Sequence, residues 1–187
     1  MRTLRIAAGS FLALTLSIGL ALAAENVKSG PQVGDEVPGP FHPLNVTGPN
    51  AGEKVCLYCQ NGSNPVAMIF AREVSEPLVT LIKKIDAATA QNKDAKMGSF
   101  VVFLGDPDEL SAKLKDVAER QHIKNTVLSV DNPAGPQAYK VAKNADVTVV
   151  LYNKHNVKAN FAFPKGQLTE KDIDTIVGSV PNILPNG

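Results

Sequence analysis

The sequence predicts an α/β domain with a central mixed β-sheet and helices on both faces. Three observations support this fold class: apolar runs that alternate with amphipathic segments, a β-hairpin pattern near the C-terminus, and a C-terminal helix with a recognisable start. Buried strands joined by helices pair in parallel through right-handed crossovers, whereas a hairpin adds an antiparallel strand. We therefore expect parallel strands with an antiparallel edge.

The first strand–helix unit begins at residue 66. Residues 66–70 form a continuous apolar run, which is typical of a strand buried on both faces. A helix is predicted from about Glu76, with Pro77 in the first turn, where its missing N–H has no cost. Apolar residues recur with helical spacing at Leu78, Leu81, Ile82 and Ile85, and the predicted exposed face carries Lys83, Lys84 and Asp86.

The same alternation continues along the chain. Residues 100–104 are predicted as a strand, and Asp106-Pro107 opens a helix. Its apolar face consists of Leu110, Leu114, Val117 and Ala118. Further predicted elements are a short strand at 126–130, a short helix at 134–141 and a strand at 147–152.

The C-terminal part combines a hairpin with a capped helix. A turn at residues 153–156 leads into an alternating, half-buried edge strand in which Val157, Ala159, Phe161 and Phe163 face one side. Thr169 is predicted as the N-cap of the last helix, and Asp172 three residues later completes a capping box. The apolar face of this helix carries Ile173, Ile176, Val177 and Val180, and Pro181 ends it.

The first 23 residues have the pattern of a secretory signal peptide. Arg2 and Arg5 precede an apolar run at residues 11–24, and residues 21–23 form an Ala-x-Ala boundary. The run spans 14 residues, whereas a membrane-spanning helix needs about 20. We predict a signal peptide at 1–23, one domain at 24–187 and a periplasmic or secreted protein, with an uncleaved anchor as the alternative.

Charge and length restrict the classes of partner. Residues 24–187 contain 17 basic and 18 acidic residues, so no electrostatic footprint for nucleic acid or an anionic membrane is visible. Their 164 residues suit a single domain with a sizeable core. We expect neither nucleic acid as a partner nor a stable membrane span after signal cleavage.

Both cysteines lie in a C-x-x-C pair, Cys56 and Cys59, within a turn-rich N-terminal segment. This segment carries strand-like pieces at 41–46 and 54–58, and no amphipathic helix follows Cys59. Cα atoms three residues apart in a strand are about 10 Å apart, so a disulfide requires the chain to turn here. Export favours an oxidised pair.

Three chemistries fit the cysteine pair: a structural or redox-responsive disulfide, dithiol exchange, or half of a metal site. Zinc needs four ligands, and the chain adds only His42, His122 and His155, none of them at paired spacing. Covalent haem attachment needs a histidine where Gln60 stands. We therefore expect no metal and no cofactor, while the first two chemistries stay open.

The order of elements resembles the thioredoxin fold in its extended, peroxiredoxin-like form. The stretch "VGDEVPGPF" from Val33 is similar to the opening of exported thioredoxin-like proteins. The stretch "SVDNPAGPQAYKVAKNADVTVVLYNKHNVKANF" from Ser129 is similar to their later strand, helix and hairpin. The resemblance covers residue 31 to the C-terminus and implies a thioredoxin-like fold with an N-terminal β-hairpin extension.

The resemblance also implies a reactive position that this chain has lost. The family's reactive cysteine lies between the first long strand and its helix, where the helix N-terminus stabilises a thiolate. Ser75 occupies the position of the attacking cysteine, and Leu78 that of the resolving one. Val147 occupies the position of the cis-proline of thioredoxins, which peroxiredoxins also lack. We therefore disfavour peroxide reduction.

Two functions remain for the cysteine pair. The leading hypothesis is an exported thiol–disulfide redox or redox-sensing protein that uses Cys56 and Cys59 on protein thiols; if it is an enzyme, it is a thiol–disulfide oxidoreductase. The alternative is a non-catalytic binding or scaffold domain whose disulfide is structural. Arg72 and Glu73 lie beside the lost site, where they either bind an anion or partner or form a solvated charged pair.

Overall fold

The computed structural model describes residues 27–185, so the predicted signal peptide lies outside the described part of the chain. The strands are β1 (Leu44–Asn45), β2 (Val66–Ala71), β3 (Gly98–Leu104), β4 (Thr126–Asp131), β5 (Val147–Asn153) and β6 (Asn156–Phe163). The helices are α1 (Leu57–Asn61), α2 (Glu76–Gln91), α3 (Pro107–Arg120) and α4 (Glu170–Gly178). Single 3₁₀ turns lie at Gln137–Tyr139 and Val180–Ile183.

One six-stranded sheet has the order β1-β4-β3-β2-β5-β6. Strands β2, β3 and β4 are parallel, whereas β5 pairs antiparallel with β2 and β6 pairs antiparallel with β5. The two-residue β1 pairs antiparallel with β4. This arrangement confirms the predicted mixed sheet with an antiparallel edge, because the β5–β6 hairpin forms one side of the sheet.

The sheet separates two apolar clusters. The larger cluster lies under the three long helices and includes the buried faces of α2, α3 and α4. The smaller cluster lies on the other face, where Leu57 of α1, Tyr139 of the 3₁₀ turn and Phe41 of the N-terminal segment cover it. The predicted helical positions Leu78, Leu81, Ile82 and Ile85 are all fully buried in the larger cluster.

Capping fixes the starts of two helices as predicted. Thr169 and Asp172 form a complete capping box at the start of α4, in which each side chain accepts from the other residue's backbone N–H. Asp106 caps α3 by accepting from the N–H of Asp108, with Pro107 at the first helical position. These interactions are local, and the sequence therefore encodes them within a few residues.

Asp86 lies on the buried side of α2, so its predicted exposure is wrong. The residue is 8% exposed, and its carboxylate accepts four hydrogen bonds from the chain that enters β4. The donors are the backbone N–H groups of Lys124, Asn125 and Thr126 and the side-chain amide of Asn125. A buried carboxylate is stable when such donors surround it. Asp86 thus joins α2 to the start of β4.

The predicted helix at 134–141 is wrong in extent, because only Gln137–Tyr139 is helical, as a 3₁₀ turn. Gly135 and Lys140 have φ values of 71° and 51°, so left-handed residues bound the turn on both sides. Pro136 immediately precedes the turn. These three residues leave room for only one turn, which carries the buried Tyr139 into the smaller cluster.

The N-terminal extension is more irregular than a hairpin of two strands. Its strand pairing consists of β1 and of two isolated bridges, Leu44 with Lys54 and Glu36 with Asn156. The predicted strand at 54–58 is wrong beyond Lys54, since the helix α1 begins at Leu57. Among residues 27–185, the helices are too short or too polar to cross a membrane.

Candidate functional site

Cys56 and Cys59 form a disulfide across the first turn of α1. The sulfur atoms are 2.05 Å apart and the Cα atoms 5.2 Å apart, inside the range that a disulfide accepts. Cys56 is the N-cap residue of α1 and Cys59 lies within the helix. The turn that the bridge requires is therefore supplied by a short helix. The expectation of an oxidised pair agrees with this bond.

The backbone of α1 supports the turn independently of the sulfur atoms. The N–H of Gln60 donates to the carbonyl of Cys56 at 3.0 Å, and the N–H of Gly62 donates to the carbonyls of Tyr58 and Cys59. The side-chain amide of Asn61 donates to the carbonyl of Leu57 at 2.8 Å. Gly62 has a φ of 52° and ends the helix. This glycine is the local sequence signal from which the end of α1 could have been predicted.

The two cysteines differ in accessibility and in hydrogen bonding. Cys56 is 7% exposed, whereas Cys59 is an exposed residue. The Cys59 backbone N–H donates to Sγ of Cys56 over 3.1 Å. The disulfide therefore joins a buried residue, whose sulfur accepts a hydrogen bond, to an exposed residue.

Tyr58, between the two cysteines, contacts the hairpin that joins β5 and β6. Its hydroxyl is hydrogen-bonded to Nδ1 of His155, and the two rings pack edge to face with centroids 4.8 Å apart. Nε2 of His155 lies 3.4 Å from the hydroxyl of Ser63. Burial, followed by the nearby charge of Glu36, raises the pKa of Tyr58 above its ordinary value of 10.0. His155 was predicted only as a turn residue, so the sequence did not reveal this contact.

The position that the resemblance assigns to the family's reactive cysteine lies at the opposite end of the sheet. Ser75 is the N-cap of α2 and makes no side-chain capping bond, while Leu78 is fully buried. The helix α1 precedes β2 and the helix α2 follows it, and β2 has six residues. At about 3.3 Å per residue, the strand separates the two places by about 20 Å. Cys56 and Cys59 are thus far from Ser75.

Arg72 and Glu73 do not form the solvated pair with each other that the sequence suggested. The guanidinium of Arg72 donates to three backbone carbonyls, those of Pro133, Ala142 and Ala145. Glu73 instead forms an exposed ion pair with Lys165, with 2.7 Å between the charged atoms. Arg72 therefore fixes the chain that leads into β5, with three of its five N–H donors bound to backbone oxygens.

A buried carboxylate lies near this end of the sheet. Asp146 is 9% exposed and directly precedes β5. Burial, and next the charge of Glu73, raise the pKa of Asp146, while Lys165 and Arg72 oppose the shift.

The three histidines considered as metal ligands are His42, His122 and His155. In residues 27–185, no group of three or more histidine, cysteine or acidic residues is arranged to hold a metal ion.

Comparisons with known proteins identify the fold. No protein-family model matches the chain, and no curated protein matches it in sequence. Among solved structures, a candidate protein disulfide isomerase from Bacteroides thetaiotaomicron aligns with a TM-score of 0.64 at 15% identity. That alignment covers 84% of this chain and 94% of the isomerase. The chain therefore has a thioredoxin-like fold.

Two further structures illustrate the range of similar proteins. The peroxidoxin BcpB from Mycobacterium tuberculosis has a TM-score of 0.60 at 12% identity, covering 82% of this chain and 98% of that one. A secreted disulfide oxidoreductase of the same organism, homologous to E. coli DsbE, has a TM-score of 0.54 at 10% identity. That alignment covers 74% of this chain and 95% of the oxidoreductase. At these identities the likeness concerns the fold.

Proposed function

We propose that this thioredoxin-fold chain exchanges disulfides with protein thiols through Cys56 and Cys59. The observation that carries the proposal is a disulfide closed across one helical turn with one exposed member. A thiolate must reach a disulfide sulfur for exchange to occur, so accessibility is the first requirement. Fully enclosed structural disulfides do not meet it, whereas Cys59 does.

The small contribution of this bond to stability supports an exchange role. A bridge between residues three apart closes a very short loop and removes little entropy from the unfolded chain. We expect it to stabilise the fold by only about 1 to 2 kcal/mol, at the low end for disulfides. The hydrogen bonds of Gln60, Asn61 and Gly62 hold α1 without the sulfur atoms. Reduction therefore leaves the domain folded.

The proposed chemistry differs from peroxide reduction at the family's reactive position. Ser75 has a hydroxyl, which is not ionised near neutral pH, and Leu78 has no sulfur. The acidic residue Glu76 lies in the first turn of α2, next to Ser75. The thiol chemistry of the chain is therefore restricted to the cysteine pair on α1.

Export is part of the proposal, because the pair must meet an oxidising compartment to be reoxidised. It rests on the signal-peptide pattern of residues 1–23. The similar secreted oxidoreductase is consistent with it. Intact-mass analysis of the exported protein should give a chain that begins at Ala24 or Glu25. A chain that begins at Met1 in the membrane fraction would overturn this part.

A second candidate function is a binding domain in which the disulfide is a structural clip that holds the turn of α1 within the N-terminal segment. The burial of Cys56 and Leu57 favours it, because the bond then holds the shape of a helix that covers the smaller apolar cluster. The two functions differ in the expected reduction potential. Structural disulfides of exported proteins lie below about −300 mV, whereas exchange-active pairs lie at roughly −120 to −270 mV.

Redox titration distinguishes the two functions. The protein is equilibrated with glutathione or dithiothreitol buffers of set potential, and the thiols are counted by alkylation and mass. We expect a potential in the exchange-active range, and a double variant Cys56→Ser/Cys59→Ser that folds with slightly lower stability. Because serine is polar and Cys56 is buried, Cys56→Ala/Cys59→Ala is the matched control. A potential below the structural threshold, with unfolding of both double variants, would establish the clip.

A further inference from the structure

The cysteine pair and the turn at Ser75 and Leu78 have the same spacing, but they differ in which end is the more exposed. In the cysteine pair the fourth residue is the more exposed one, whereas in the other turn it is the first. At the latter, the first residue, Ser75, is half-buried and the fourth, Leu78, is fully buried. At the pair on α1, the first residue, Cys56, is buried and the fourth, Cys59, is exposed. The same spacing therefore presents a different end of the motif to solvent.

We propose that Cys59 is the sulfur attacked by the substrate and that Cys56 is the leaving and resolving sulfur. This assignment deepens the proposed exchange function and rests on it. An incoming thiolate needs a free path to the sulfur that it attacks, and the buried position of Cys56 offers none. The exposed position of Cys59 on α1 offers such a path.

Hydrogen bonding supports the same division of roles. When the bond breaks, negative charge develops on the leaving sulfur, and a donor aimed at that sulfur stabilises the charge. The backbone N–H of Cys59 already donates to Sγ of Cys56. Within residues 27–185, no donor is directed at Sγ of Cys59. The backbone thus favours departure of Cys56 and offsets part of the cost of a charge at a buried position.

The electron count is that of dithiol exchange. A substrate thiolate attacks Sγ of Cys59, a substrate–Cys59 disulfide forms, and the bonding pair of the broken Cys56–Cys59 bond stays on Cys56. A second substrate thiolate then attacks the substrate sulfur of the mixed disulfide, and Cys59 leaves as a thiolate. The substrate dithiol loses two electrons and becomes a disulfide, and the protein disulfide gains them. The co-reactant is therefore a protein dithiol.

Single-cysteine variants with oxidised glutathione as the probe test the assignment. Cys56→Ser retains only Cys59, and Cys59→Ser retains only Cys56. We expect Cys56→Ser to form the glutathione mixed disulfide at least about tenfold faster than Cys59→Ser in the folded state. In denaturant both thiols should react at similar rates, so that the difference is due to the fold. Circular dichroism before the reaction confirms that each variant is folded.

A second measurement uses the natural pair. The reduced wild-type protein is treated briefly with less than one equivalent of iodoacetamide, and the modified cysteine is located by mass spectrometry. Preferential labelling of Cys59 is expected. Faster reaction of Cys56, or equal rates in the folded state, would overturn the assignment while leaving exchange intact. A disulfide that glutathione cannot reduce would instead overturn the proposed function.

Discussion

The hydroxyl of Tyr58 and the imidazole of His155 are hydrogen-bonded, although the two residues are 97 positions apart in sequence. Tyr58 lies inside the cysteine pair on α1, and His155 lies in the two-residue turn between β5 and β6. The backbone carbonyl of His155 also accepts from the N–H of Val37 at 2.8 Å. One residue of the hairpin thus joins the disulfide turn to the N-terminal segment.

The contact predicts a coupled effect of two substitutions on stability. Tyr58→Phe and His155→Asn should each lower the free energy of unfolding by about 1 kcal/mol, because each removes the same hydrogen bond. Asparagine suits the φ of 62° at position 155, so the second variant removes the contacts of the imidazole without straining the backbone. The double variant should lose less than the sum, as measured by urea unfolding. Strict additivity would show that the two side chains act separately.

Gly98 at the start of β3 leaves room for the side chain of Asn61 in α1, so a larger residue at position 98 is expected to destabilise α1. A Cβ at this position would lie 1.7 Å from Oδ1 of Asn61, so the alanine variant must displace the Asn61 side chain. That side chain bonds the carbonyl of Leu57 inside α1. We expect Gly98→Ala to cost roughly 1 to 3 kcal/mol in thermal or urea unfolding.

A second variant separates crowding from a general weakening of β3. Adding Asn61→Ala to Gly98→Ala removes the atoms in conflict, so the double variant should recover part of the lost stability relative to Gly98→Ala. Asn61→Ala alone serves as the control, since it removes the same hydrogen bond without crowding. A double variant that is less stable than Gly98→Ala would contradict the explanation.

Replacing the buried carboxyl group of Asp146 with a neutral amide should raise the stability of the fold in a pH-dependent way. Burial and Glu73 raise its pKa in the folded state, so the fold favours the protonated acid. The protonated acid therefore contributes to the stability of the fold. This contribution is fully present below the unfolded pKa of about 4 and is lost as pH rises through the folded pKa. Asp146→Asn should therefore melt at a higher temperature than the wild type at pH 7, and the gain should vanish toward pH 4.

Asp174 provides a matched control for this substitution, because its side chain is 63% exposed and pairs with Lys84 on the surface. Asp174→Asn should leave the melting temperature unchanged or slightly lower at pH 7, since exposed pairs contribute little. Melting curves of both variants between pH 4 and pH 8 provide the comparison. An equal gain from both variants would indicate a general charge effect instead of burial at Asp146.

The serine at position 75 leads to two predictions: the protein has no thiol peroxidase activity, and Ser75→Cys introduces a reactive thiol. The unmodified protein should show no thiol peroxidase turnover, because Ser75 cannot form the required thiolate. In the Cys56→Ser/Cys59→Ser background, Ser75→Cys should place a thiol at the N-terminus of the 16-residue α2, where the helix stabilises a thiolate. Below pH 8, alkylation of this thiol should be faster in the folded protein than in denaturant. Peroxide reduction by the Cys56→Ser/Cys59→Ser protein would contradict the placement of this loop.

Local signals determined most of the fold. The apolar run at 66–70, the helical spacing from Leu78 and the Thr169–Asp172 capping box each act within a few residues, and the structure agrees with all three. Helices that connect successive buried strands then require those strands to be parallel, as β2, β3 and β4 are. The resemblance to the thioredoxin fold also followed from this order of elements. The sequence was therefore sufficient for the mixed character of the sheet and for its long helices.

Only the tertiary structure decided what surrounds the cysteine pair. The helix α1 has five residues, too few to carry a periodic signal, and it is held by its bridge, its glycine end and its packing on the sheet. The burial of Asp86 depends on the chain that enters β4, about 40 residues away. The contact of Tyr58 with His155 depends on β5 lying beside β2, since this pairing brings the hairpin turn to the end of the sheet where α1 lies. Such contacts arise from strand order, which no short stretch of sequence contains.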